Sequence, residues 1–478
     1  MNTLVSFRLL FAIAVIAAIP SVSATNLWQV WQLAKVHAPA LVQAEATLSE
    51  ARAAHSAALA KLLPSLSLNA SRIVDNQSSG GPEFYGSSIV QQTQSSNTQT
   101  NGWNMELDQP LFNWQAIQNL SAADYSEAAG VAQAEAARQA FMATLAQDYL
   151  AVLNAQALLE ATREAQQGFD VQATQAAARY KAGVSGIIGT DETQAALAQA
   201  QAETLSAEQA LQVARRALDT DAGIHIPGPF SELPATVEIH LPPTLDTATW
   251  ITQALAQNPS LAAARLEQNS AGHALSAAHS GYLPAVSLVL SHQRNLVAGN
   301  QDYSVPSTSA VSPANQDASQ NLIGVKLSWA IFSGGATSAA SQTAEAQERS
   351  ADATARTAEL TVQSQINNAL DGLENANKRV QQLRSGVVSA QAAVTATAAA
   401  VAKGLNSEQD LVIARQTLLS IKTAYAQAVV DLITNRVALA QALGTLTPEL
   451  LSKLSKRLES ISPDNESHDT TSDGEFSP

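Results

Sequence analysis

Residues 63–70 read LPSLSLNA, and residues 283–290 read LPAVSLVL. Behind each Leu-Pro, apolar side chains recur at every second position. Leu66, Leu68 and Ala70 alternate with Ser65, Ser67 and Asn69, and Val286, Leu288 and Leu290 hold the same places in the second stretch. A period of two is the mark of a strand with one apolar face, and a proline at its head ends any helix that precedes it. The two stretches lie 220 positions apart. The same spacing separates HAPAL (37–41) from QNPSL (257–261), and LDQPLF (107–112) from LSWAIF (327–332). One position further out of step, Lys181-Ala182-Gly183 faces Ala402-Lys403-Gly404, and Ala222-Gly223 faces Leu443-Gly444. The chain is therefore written twice, and each copy follows one programme: helix, strand, polar loop, strand, very long helix, tight turn, helix.

The return strands carry Trp103, Met105 and Leu107 in the first copy and Ile323, Val325 and Leu327 in the second. Apolar parity is the same in both copies. One face is apolar, and the other, with Ser67, Glu106, Asp108 and Lys326, is wet. Strands of about ten residues match the wall of an outer-membrane barrel. Phe112, Trp114, Tyr282, Trp329 and Phe332 flank them as an interfacial girdle would. The polar stretches 75–102 and 295–321 are expected as loops. Four strands cannot close a barrel, for which about eight are needed, and lipid does not tolerate an open sheet edge. If these strands span a membrane, several chains share one barrel: two would supply eight strands, three would supply twelve. A soluble sheet packed on helices is the alternative.

Leu145, Tyr149, Val152, Gln156 and Leu159 step alternately by four and three, as do Tyr425, Val429, Leu432, Arg436, Leu439 and Leu443. That is coiled-coil spacing. No proline interrupts Gln115 to Ala182 or Thr337 to Val401. Each run makes a rod on the order of 100 Å, with an alanine-rich seam that has to pack against neighbours along its length.

The ends read differently. Arg8 is the only charge before Lys35, Leu9 to Ile19 is unbroken apolar sequence, and Val22-Ser23-Ala24 is a small-x-small site. Residues 1–24 are expected to be a secretory signal peptide, too short to cross about 30 Å of hydrocarbon as a helix. Repeats are expected at 25–226, with a β-hairpin at 64–112, and at 244–459, with a hairpin at 284–332. A proline-rich linker (227–243) joins them, and an acidic tail (460–478) follows. Of 478 residues only 14% are charged and 5% aromatic, and 41 acidic against 26 basic residues leave a net charge of −15. A nucleic-acid partner is excluded on that charge. The absence of cysteine excludes disulfides, thiolate metal sites and cysteine nucleophiles.

In order and in duplicate, these motifs resemble the outer membrane efflux protein family, the TolC type of exit duct. The carrying residues are HAPAL and QNPSL, the Pro64 and Pro284 junctions, LFN (111–113) and IFSGG (331–335), Arg179-Tyr180 with Gly183-Val184, and Ala442-Leu443-Gly444. The resemblance runs from Leu27 to about Leu454. It implies a mainly α fold with a β-barrel portion: a homotrimer whose twelve helices form an α-barrel across the periplasm and whose twelve strands form one barrel in outer-membrane lipid. It also implies a passive duct that docks through its helical tips onto a periplasmic adaptor and an inner-membrane pump, either a proton antiporter or an ATPase. A soluble periplasmic coiled-coil binding protein is the competing reading.

The resemblance places Gly183, Val184, Gly404, Leu405, Asn406 and Ser407 at adaptor-docking tips, and Asp191, Asp410 and Tyr180 at a gate. Glycine after a helix is also ordinary C-cap chemistry, and an acid in the first turn is an ordinary N-terminal partner. Asp410 follows Gly404 by six residues and Asp191 follows Gly183 by eight, so the first tip is expected to hold two extra residues. Three copies of each carboxylate around one axis would form a ring that selects cations. No metal-ligand, cofactor or catalytic pattern is found: the eight histidines are scattered, and no HExxH or G-x-S-x-G occurs.

Overall fold

The computed structural model describes residues 24–85, 87–234, 247–305 and 308–460. The expected signal peptide, the later part of the linker and the acidic tail lie, but for their edges, outside the described residues. The first repeat is α1 (Leu27–His37), α2 (Pro39–Ala60), β1 (Ser65–Tyr85), β2 (Ser88–Phe112), α3 (Trp114–Lys181) and α4 (Ile187–Ala222). The second is α5 (Thr247–Gln257), α6 (Pro259–His279), β3 (Ala285–Val305), β4 (Thr308–Pro313), β5 (Gln316–Ser328), α7 (Ala336–Ala402) and α8 (Glu408–Ala442), followed by α9 (Pro448–Ser460). HAPAL and QNPSL are the breaks between helix pairs. Pro39 and Pro259 open α2 and α6, where a missing N–H costs nothing. Asn258 caps α6, accepting from the backbone N–H of Ser260 and Leu261 at 2.9 and 3.1 Å.

The chain divides into two compact units, one of them Gln43–Ala137 with Ile251–Ser364 and the other the remainder. In the helical unit the four-three residues turn inward: Leu145, Tyr149, Val152, Val429 and Leu432 are buried. Two clusters of small and branched side chains fill the hairpins. Phe169 and Ala173 of α3 meet Ala196, Leu197 and Ala200 of α4 and Val412 of α8. Ala390, Val394 and Val401 of α7 meet Leu411 and Leu418 of α8. One stretch of α7 reaches a mean hydropathy of 1.4 over an 18-residue window, by length and composition enough to cross a membrane. Valine and alanine supply it, and the serine, glutamine and threonine residues between them leave no long continuous apolar run. The linker is not free at its start: Phe230 is buried and pairs with Thr25, whose N–H donates to Pro229 O at 2.7 Å.

The other unit holds one antiparallel sheet. β1 pairs with β2, β2 with β3, and β3 with both β4 and β5. The two hairpins thus share an edge. β4 and β5 are two parts of one return strand, interrupted where Ala314 N–H donates to Gly299 O at 2.9 Å. The polar stretches expected as loops are strands instead. The β1–β2 ladder runs unbroken from Ser65↔Asp108 to Tyr85↔Ser88. Serine, threonine and glutamine carry no apolar alternation to betray a strand, yet a partner strand satisfies their backbone groups as fully as water does.

Candidate functional site

Two surfaces emerge, one in each unit. The first is the pair of turns closing the helical hairpins. At the end of α3, Gly183 N–H donates to Tyr180 O at 2.9 Å and Val184 N–H to Arg179 O at 3.0 Å. At the end of α7, Gly404 N–H donates to Val401 O at 3.0 Å and Leu405 N–H to Ala400 O at 2.9 Å. These are two copies of one Schellman cap, and the glycines sit at φ 74° and 73°, where a Cβ would be strained. The residue after such a glycine usually folds back onto its helix. Here Val184 and Leu405 stay 75% and 76% exposed, with Ile188 exposed beside them and Tyr180 half exposed.

The linking segments, 182–186 and 403–407, are equal in length. The first tip therefore holds no extra residues. Gly189 occupies in α4 the third helical position that Asp410 takes in α8, and Asp191 lies two positions deeper on an exposed face. The acids do not correspond because the caps differ. Gly186 begins α4 with no side-chain cap. Ser407 begins α8 with a capping box: its Oγ accepts from Asp410 N–H at 3.1 Å, and Asp410 Oδ2 accepts from Ser407 N–H at 2.9 Å. The backbone hydrogen bond from Ser407, then that from its side chain, hold the Asp410 carboxyl below its usual range, so it is ionised at neutral pH.

The residue that ties the tips together is Glu408, which the sequence alone did not single out. Its carboxylate pairs with Arg179 of α3, and Gln172 Nε2 donates to its other oxygen at 3.1 Å. Gly189 lets it in: a Cβ there would stand 3.3 Å from Glu408 Cγ. Further along the same seam Glu164 pairs with Lys422 at 2.5 Å and Asn154 donates to Gln427 at 2.8 Å. The first repeat thus grips the second through α3 and α8. An acid just inside a serine cap was the available signal, but its partners are more than 220 residues away in sequence.

The second surface is the sheet. Strand registers align Leu66, Leu107, Leu290 and Ile323 in one row, with Leu288 and Val325 below it. Leu66 and Leu68 are each 67% exposed, Ile323 77% and Val325 67%, so the apolar face has no cover in the chain. Trp114, Trp329, Phe332 and Tyr282 at its helix-proximal end are exposed as well. On the opposite face Ser67 faces Glu106, and Ser287 Oγ donates to Asp108 Oδ2 at 3.2 Å. Histidines serve local contacts: His55 lies between Asp124 and Glu127 at 2.8 and 3.3 Å, and His273 stacks on Tyr125. Among the described residues no three His, Cys, Asp or Glu side chains gather as a metal site.

Comparison with known proteins agrees with this architecture. The family model described as outer membrane efflux protein matches residues 30–223 and 250–445, one segment per repeat. Outer membrane protein TolC of Salmonella enteritidis is 24% identical over 461 residues, covering 94% of this chain and 90% of that protein. TolC of Vibrio cholerae serotype O1 is 27% identical over 456 residues, covering 92% and 95%. The crystal structure of the Campylobacter jejuni CmeC outer membrane channel superposes with a TM-score of 0.72 at 17% identity, covering 92% of this chain and 91% of that one.

Proposed function

The chain belongs to the outer membrane efflux protein family, and on that premise we propose that three copies close a single twelve-stranded barrel through which substrates leave. It is an outer-membrane duct of a tripartite efflux or secretion system, with its helices in the periplasm and its partners an adaptor and an inner-membrane pump. The observation that supports a shared barrel is the apolar sheet whose outer strands, β1 and β5, pair on one side only within the chain; the number three follows the family resemblance. Such a sheet is untenable in lipid unless copies join edge to edge.

The exposed apolar side chains of Val184 and Leu405, with Gly183, Gly404, Asn406 and Ser407 shaping the turns, form the adaptor-docking tips. Burying them on an adaptor removes apolar surface that the chain itself leaves wet. Asp410, Asp191 and Tyr180 line the entrance. The charge Asp410 carries at neutral pH supports a three-fold ring of anions favouring cations.

The test is the native mass of protein extracted from isolated outer membranes in mild detergent. A detergent-dependent species of three chains is expected. A monomer released without detergent overturns the barrel, the tips and the gate together.

A further inference from the structure

The charges of the strands are sorted by face. By alternation Asp75, Glu83, Glu106, Asp108 and Lys326 lie on the wet face, while Arg72, Arg294, Asp302 and Asp317 lie on the apolar one. Both strand arginines are thus on the face that meets lipid, in adjacent register rows. Along β2 the apolar face rises from Phe112 to Trp103, roughly 31 Å of strand, or about 23 Å along a barrel axis at a tilt near 40°. That is close to the ~25 Å apolar band of an outer-membrane barrel. Trp103 pairs with Arg294, and the next row holds Arg72, Asn101, Leu296 and Asp317. The ring of Trp103 rests 5.0 Å from that of His292. Hydrocarbon gives way here to polar and cationic side chains, at the end of the band away from the helices.

The two arginines differ in compensation. Arg294 is held by Asp317 through Nε at 3.0 Å and Nη2 at 2.7 Å. Arg72 is exposed, and its Nη2 donates to the neutral Gln99 at 2.9 Å, so its charge is not offset there.

We propose that this border binds the phosphate groups of outer-leaflet glycolipids, with Arg72 as the principal contact and Arg294 as a second one moderated by Asp317. The inference rests on the sheet lying in the membrane as described above. A guanidinium meets a phosphate through paired N–H donors, and in a chain of net charge −15 two arginines in adjacent rows of the lipid-facing surface make a local exception that suits an anionic headgroup. Contact with phosphate would fix the height of the barrel in the leaflet, as the aromatic girdle does at the other border.

The test uses the full chain purified in mild detergent and titrated with bisphosphorylated lipid A or its dephosphorylated form, with bound lipid counted by native mass spectrometry. Wild type is expected to prefer the bisphosphorylated lipid. Arg72→Gln should cut that preference roughly fivefold, and Arg72→Lys, which keeps the charge but not the paired donors, should fall between wild type and Arg72→Gln. Asp317→Asn, which frees Arg294, should raise the preference, and Lys326→Gln on the wet face should leave it unchanged. Equal binding of the two lipids, or the same sign for Asp317→Asn and Arg72→Gln, overturns the proposal. So does trimer loss by Arg72→Gln in lipid-free detergent, which would assign the arginine to a neighbouring chain. An oligomer indifferent to phosphate sinks this inference alone, whereas a detergent-independent monomer that takes up neither lipid sinks the barrel beneath it.

Discussion

Gln172 of the first repeat donates from Nε2 to the backbone carbonyl of Glu408 in the second at 3.0 Å and to its carboxylate at 3.1 Å. With Arg179 on the other carboxylate oxygen, one largely buried acid holds α3 to the start of α8. Glu408→Ala leaves the Arg179 guanidinium without its acceptor, while Gln172 keeps only the backbone carbonyl, and is expected to cost about 1–3 kcal/mol. Glu408→Gln, which keeps an acceptor for Gln172, should cost less. Thermal unfolding of the purified protein measures both. If this contact restrains the entrance, single-channel conductance in planar bilayers rises in the order wild type, Glu408→Gln, Glu408→Ala.

Val184 and Leu405 touch little of their own chain. Val184→Asp with Leu405→Asp is therefore expected to leave the melting temperature within about 0.5 kcal/mol equivalent of wild type. The same double variant should abolish co-purification of the adaptor. Retention of the adaptor would move docking away from these turns.

Asp148 lies partly buried beside Asp221. Burial first, and then the hydrogen bond and charge of Asp221, push the Asp148 carboxyl from 3.8 up to about 7. The folded chain holds that proton while the unfolded chain releases it. The stability it supports is complete below pH 3.8 and is lost as pH rises to about 7. Asp148→Asn should remove this component, flattening the melting temperature between those limits and raising it above wild type at pH 8.

On the sheet, Ile323→Arg places a charge in the lipid-facing row and is expected to cost about 2–4 kcal/mol in the membrane. Ser67→Arg on the wet face should insert normally. Protease protection of the assembled protein in outer-membrane vesicles separates them, and equal tolerance at both positions would contradict a membrane-facing surface.

Gly183 and Gly223 share a positive φ, 74° and 70°, but differ in surroundings. Nothing lies within 4 Å of a Cβ at Gly183, whereas one at Gly223 would strike the backbone carbonyl of His37. Gly183→Ala should cost about 1–2 kcal/mol of backbone strain. Gly223→Ala should cost more, since α1 has to move. Denaturant midpoints of the two variants give the comparison.

The fold was largely legible because its signals are periodic and local. The alternation at Leu66 and Leu68, the four-three steps at Leu145 to Leu159, and the prolines at 39, 64, 259 and 284 each act on neighbouring backbone. The candidate site was legible only in part. Gly183 and Gly404 announce themselves, because the left-handed cap they close needs glycine. The resemblance pairs Asp191 with Asp410, and it is blind to whether a helix begins at a serine or a glycine. The strand character of 75–102 was invisible because polar side chains on both faces carry no period.

The sequence by itself determined the duplication, the rod lengths, the strand parity and the need for partner chains. Each follows from spacing along one chain and from the cost of exposed backbone in lipid. Tertiary structure alone decided that β2 joins β3, so that two hairpins become one sheet, and that Glu408 meets Gln172 and Arg179. It also decided that Arg72 keeps an uncompensated charge while Arg294 does not. Those outcomes depend on which distant residues come within about 3 Å, and no local periodicity encodes that distance.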